Sequence, residues 1–91
     1  MDIEFTYDPA KSDANKTKHG IDFEEAKALW ADPDRIEIPA KTVDEPRGMV
    51  IGKIEAKIWS SIITVREGKT RIISVRRSRK NEEDLYESKD I

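Results

Sequence analysis

His19 is the only histidine of the chain, and it stands in the run Lys18-His19-Gly20. Imidazole ordinarily titrates at a pKa of about 6.5, which suits proton transfer near neutral pH. Lys18 places a second proton-carrying group beside it. At a helix C-terminus the same pair also has a plainer use, as cations that offset the helix dipole. Both readings stand at this point. Arg76-Arg77 is the second feature. On a strand their side chains point to opposite faces, so one borders the helices while the other reaches an open face. Guanidinium forks match phosphate oxygens in pairs, and arginines at a strand end also discourage edge pairing. Arg66 and Arg71 flank a predicted hairpin turn, which brings two like charges close together. Such a pair is tolerated more easily when a polyanion or an acidic partner is bound. Tyr86 either packs as core or presents its hydroxyl.

Other chemistries lack their residues. With no cysteine and one histidine, disulfides, thiolate zinc sites and histidine-rich metal sites are excluded. The chain has no Gly-rich phosphate loop, no G-x-S-x-G and no metal carboxylates at a recognisable spacing, so nucleophilic and metal chemistry are unsupported. Trp30 and Trp59 are assigned to the core, which leaves few aromatics for stacking bases.

The charges are unevenly laid out. Lys69, Arg71, Arg76, Arg77, Arg79 and Lys80 fall between Gly68 and Asn81 with no acidic residue among them. The segment from Lys11 to His19 is basic too, whereas the tail after Asn81 is acidic. A local basic surface therefore exists on a chain of net charge −2, and local field matters more than net charge for docking a polyanion.

These groups need a scaffold, and the sequence outlines one. Ile3 to Tyr7 alternates as a short strand. Asp8-Pro9 reads as an N-cap and first helical residue, for a helix from Pro9 to about Lys18 that stops at Gly20. Asp22 and Glu25 form a capping-box pattern, and Phe23, Ala26, Leu29 and Trp30 share one face of a second helix that ends at Asp32-Pro33-Asp34. The period then changes from helical to alternating. Strands are predicted over Arg35–Pro39, Arg47–Lys53, Lys57–Arg66 and Thr70–Arg77, with a loop over Lys41–Pro46 and a tight turn at Glu67-Gly68-Lys69. A short helix over Asn81–Ser88 completes the order β-α-α-β-β-β-β-α. The fold class is α+β, with helices packed on one face of a four-stranded antiparallel sheet.

Ninety-one residues make one domain, 1–91. Charged residues reach 40%, yet the near-neutral total keeps self-repulsion small, which favours a folded domain with a thin core. The first residues show no secretory signal pattern, and no apolar stretch approaches a membrane span, so a cytoplasmic location is expected.

The run Tyr7-Asp8-Pro9-Ala10-Lys11, then Asn15, Lys18-His19-Gly20-Ile21, Phe23-Glu24-Glu25-Ala26 and Asp32, resembles the N-terminal half of the BrnT toxins. Arg47, Gly52, Thr64-Val65-Arg66, Arg71-Ile72-Ile73-Ser74-Val75-Arg76-Arg77, Glu83 and Tyr86 look like the second half in order and spacing. Tyr7 stands where the family usually has Trp, and Val75 where it commonly has Ala. The resemblance implies a RelE-like fold and a ribonuclease toxin of a type II toxin–antitoxin pair. RNA would be cleaved without metal or other cofactor, arresting translation. A ribbon-helix-helix antitoxin would neutralise the toxin, and operator DNA would be bound only through the toxin–antitoxin complex. On that reading Lys18, His19, Arg76 and Tyr86 are the catalytic candidates. Lys11, Arg66, Arg71, Arg77, Arg79 and Lys80 are the RNA-binding ones. The competing reading is a non-catalytic nucleic-acid- or protein-binding module acting in operon autoregulation.

Overall fold

The computed structural model describes residues 2–41 and 45–88. Strand β1 (Phe5–Thr6) leads into helix α1 (Pro9–His19), a one-turn helix α2 (Phe23–Ala26) and a 3-10 segment (Lys27–Ala31). Strands β2 (Ile36–Ala40), β3 (Arg47–Ile54), β4 (Lys57–Arg66) and β5 (Lys69–Arg77) follow, then helix α3 (Lys80–Glu87). The α+β class stands, with two corrections to the layout. The sheet has five strands in the order β1-β5-β4-β3-β2. β1 adds to β5 in parallel, through Phe5 opposite Thr70, which makes the sheet mixed rather than four-stranded and antiparallel. The helices also do not share a face. α1, α2 and the 3-10 segment cover one side, and α3 covers part of the other. The loop predicted over Lys41–Pro46 falls partly on residues 42–44, outside the described residues.

Local chemistry explains the helical hairpin. The Asp8 carboxylate accepts the Ala10 N–H at 2.9 Å, and Pro9 occupies the first turn, where a missing N–H costs nothing. Gly20 ends α1 at φ 80°, a left-handed conformation that a side chain would strain, and its N–H closes on the Lys16 carbonyl. Asp22 and Glu25 form the capping box in both directions, at 2.7 and 3.0 Å. The predicted second helix lasts one turn before tightening into the 3-10 segment.

Beneath the hairpin lies the larger core. Phe23, Ala26 and Leu29 pack with Val50, Ile63, Ile72 and Val75, all nearly inaccessible. Phe5, Tyr7, Trp30 and Trp59 border it half-buried, so neither tryptophan is fully interior. Tyr7 keeps an aromatic role, edge-on to Phe23 with centroids 5.7 Å apart. Gly52 lets the 3-10 segment lie close on β3: a Cβ there would meet Leu29 Cδ2 at 3.2 Å. The smaller core, on the other side, holds Ile51, Ile58 and Tyr86.

α1 docks by hydrogen bonds rather than apolar contacts. Its buried residues are Ser12 and Asn15. Ser12 Oγ accepts the Phe23 N–H at 2.9 Å. Asn15 Nδ2 donates to the Ile21 and Val75 carbonyls, both at 2.8 Å, and Asn15 Oδ1 accepts the Val75 N–H at 3.3 Å. One side chain thus ties the helix to β5 and to the turn after it.

Candidate functional site

The last turn of α1 carries Lys18, exposed, and His19, half-buried. Ser12, Asn15 and His19 recur at helical spacing, so His19 continues the stripe that rests on β5. His19 makes no hydrogen bond or ion pair with the described residues, which leaves its ring nitrogens available. Beside this turn, Gly20, Ile21, Glu25 and Trp59 line a cleft of about 280 Å³.

β5 separates the two adjacent arginines. Arg77 emerges on the hairpin side, its guanidinium 5.6 Å from the centre of the Trp59 ring, a cation–π contact. Because Asn15 fixes α1 alongside Val75, His19 and Arg77 end their elements on the same face and at the same end of the sheet. Arg76 points to the opposite face. Its NH1 and NH2 donate to Glu82 Oε1 and Oε2, each at 2.8 Å. Glu82 also accepts from Ser60 Oγ and from the Arg79 N–H at the start of α3, both at 2.9 Å. The Arg76 hydrogen bonds hold the buried Glu82 carboxyl down to about 2 against the desolvation that would raise it. Arg76 therefore anchors α3 and does not meet Lys18-His19, contrary to a grouping of all four catalytic candidates.

Tyr86 is likewise tied into the fold. It is buried, and its hydroxyl donates to Asp32 Oδ2 at 2.6 Å, the oxygen that also accepts the Lys53 N–H. Burial, and then the Asp32 carboxylate, push its phenol well above the ordinary value. A Tyr86→Phe protein should lose about 1–3 kcal/mol of stability, the worth of a charge-assisted hydrogen bond, and should cleave RNA at the wild-type rate. A large fall in rate at unchanged stability would return Tyr86 to the chemistry.

The remaining basic candidates are dispersed. Lys11 is exposed near the start of α1. Arg79 precedes α3, and Lys80 pairs with Asp84 at 2.7 Å on that helix's exposed surface. Arg66 and Arg71, by contrast, do come together. Arg71 lies opposite Thr64, two residues from Arg66 on the same face of β4. Arg66 donates from Nε and NH2 to the two carboxylate oxygens of Glu45, at 3.1 and 2.8 Å. Arg66 holds that carboxyl below its usual range, helped by the fields of Arg47 and Arg71. Arg47 and Glu45 are members of this group that sequence reasoning missed. The crowding expected at Arg66 and Arg71 was the available signal, since it asked for an acidic group that Glu45 supplies. Among the described residues no three His, Cys, Asp or Glu side chains are grouped to hold a metal ion. No helix among them is long and apolar enough to cross a membrane.

These features define a small α+β protein that offers cationic side chains to solvent on both faces of one sheet. A family profile described as a ribonuclease toxin, BrnT, of a type II toxin-antitoxin system matches residues 7–82. The chain belongs to the BrnT family of ribonuclease toxins, which implies an RNA target and an antitoxin partner. A comparison with curated proteins gave no match.

Proposed function

We propose that this chain cleaves RNA without a metal ion, on a scaffold read as RelE-like, and so inhibits translation in the cytoplasm. A ribbon-helix-helix antitoxin would neutralise it, and the pair would reach operator DNA together. The observation that carries the catalytic reading is the shared position of Lys18, His19 and Arg77 at one end of the hairpin-covered face. In the reaction the RNA 2′-oxygen bonds to the adjacent phosphorus as the bond from phosphorus to the 5′-oxygen breaks. The 2′-hydroxyl proton passes to a base, and the leaving 5′-oxygen takes a proton from an acid. His19 and Lys18 serve as these groups, and Arg77 offsets the negative charge that grows on the phosphate oxygens. The half-buried Trp59 face beneath Arg77 suits a nucleobase.

Purified protein incubated with labelled RNA and excess EDTA should yield fragments ending in a 2′,3′-cyclic phosphate and a 5′-hydroxyl. Cleavage abolished by EDTA and restored by a divalent cation would overturn the metal-free mechanism. Cutting of translated messenger but not of naked RNA would move the active complex to the ribosome. Salt-dependent RNA binding with no cleavage in either setting would favour the non-catalytic module.

A further inference from the structure

The sheet face opposite the hairpin carries a second cationic site. α3 covers only the half around Ile51, Ile58 and Arg76. On the other half, the register Gly48 opposite Ile63, carried one residue further, sets Arg47 beside Thr64, and Thr64 faces Arg71 on the next strand. Arg47, Thr64 and Arg71 therefore form a row across three strands. The outer two backbones are about 10 Å apart at the usual strand spacing. Arg66 stands next to Thr64 along β4. Thr64 Oγ1 donates to the Pro46 carbonyl at 2.7 Å, which pins the chain entering β3 against this row. Glu45, Pro46, Arg47, Thr64 and Val65 border a cleft of about 500 Å³.

Glu45 is the anion this row already holds. Both its oxygens face the Arg66 fork, side-on, in the geometry by which a guanidinium takes two oxygens of a phosphate. One carboxylate does not balance three guanidiniums. Arg47 and Arg71 make no ion pair with the described residues, and Arg66 remains more than half exposed. Like charges so placed repel unless a further anion lies between them.

We infer that Arg47, Arg66 and Arg71 form a binding site for the RNA phosphodiester backbone, with Glu45 as a built-in competitor that phosphate displaces from Arg66. The inference rests on RNA as the ligand. It adds to the hairpin site a second anchor on the far face, which a strand wrapping the sheet end would reach.

The test is fluorescence anisotropy with a short single-stranded 2′-O-methyl oligoribonucleotide, which binds but cannot be cut, over a range of salt concentrations. Arg47→Ala should weaken binding about tenfold, the worth of one charge-assisted hydrogen bond. It should also flatten the salt dependence by about 0.7 for each phosphate it leaves unneutralised. Arg47→Lys should keep the slope, and Glu45→Gln should tighten binding several-fold. Circular dichroism melts accompany each variant, and Arg71→Ala replaces Arg47→Ala if the latter does not fold. Unchanged affinity and slope in Arg47→Ala and Arg71→Ala would overturn the site. So would Glu45→Gln binding as wild type but no longer cleaving ordinary RNA, since Glu45 would then be a proton acceptor. Loss of affinity for an acidic peptide but not for RNA would assign the face to a protein partner and overturn it too. Wild-type failure to cleave ordinary RNA, with the Arg47 and Glu45 effects present, would sink the ribonuclease reading and leave this site standing.

Discussion

His19→Ala should slow RNA cleavage by roughly 10²–10⁴-fold, the usual cost of removing a positioned proton-transfer group. Its folding should be nearly untouched, because the ring makes no hydrogen bond with the described residues and lies half-buried at the end of α1. Gly20 and Asn15, which set that end of the helix, are unchanged in the variant. Arg77→Ala should follow with a loss of about 10²–10³-fold, in the range for removing one group that stabilises developing charge. Timed cleavage of a labelled RNA under single-turnover conditions separates the chemical step from binding. Should His19→Ala cleave as fast as the wild type, the hairpin leaves the mechanism and the opposite face becomes the place to look.

Glu82→Gln should be the most destabilising of the substitutions considered. The amide leaves the Arg76 guanidinium three-quarters buried with no counter-charge, while Ser60 and the Arg79 N–H lose a carboxylate acceptor. Breaking one side of a buried pair costs about 3–5 kcal/mol, and in a domain this small each kcal/mol lowers Tm by about 4–8 °C. A fall of about 12 °C or more at neutral pH is expected. Acid should reveal the same contact in the wild type. The Glu82 carboxyl titrates near 2 in the folded chain against an ordinary 4.5, so the unfolded chain takes up the proton first. Its contribution, roughly 3 kcal/mol, is complete above about pH 4.5 and disappears as pH falls towards 2. Urea unfolding at stepped pH should show this slope in the wild type and a flatter one in Glu82→Gln. A double replacement of Arg76 and Glu82 by methionine should cost less than either single change, because no unpaired charge remains buried. A Glu82→Gln protein within about 1 kcal/mol of wild type would show that Arg76 does not depend on this partner.

Much of the hairpin was legible because its signals are local. Asp8, Gly20 and the Asp22/Glu25 box act through bonds to residues a few positions away. The turn between β4 and β5 announced itself in the same way, and Glu67 and Gly68 adopt the positive φ values, 52° and 76°, that it demands. The alternation of Arg76 and Arg77 was also readable, but not which of them faces the helices. That depends on α3 crossing to the far side of the sheet, which no local pattern encodes. A register shift between Ile62 and Ile63 further breaks the simple alternation between the Arg66/Arg71 end and the Arg76 end. The parallel docking of β1 was hidden because two residues carry no direction. Asn15 escaped notice as a core residue because a search for apolar periodicity passes over an amide. Glu45 left no mark of its own, since one carboxylate in a loop is ordinary until three arginines surround it.

The bond between Asn15 and Val75 joins residues 60 apart, and β1 pairs with the strand that carries Val75. On the ribosome, α1 and Phe23 therefore emerge long before the surface that buries them. The helical hairpin must wait, unpartnered, while β2, β3 and β4 are made, and it can close only when β5 arrives. Contacts so distant in sequence slow folding. A nascent toxin thus acquires the face bearing His19 and Arg77 only in the last stage of its synthesis, which gives an antitoxin time to reach the chain before it can act.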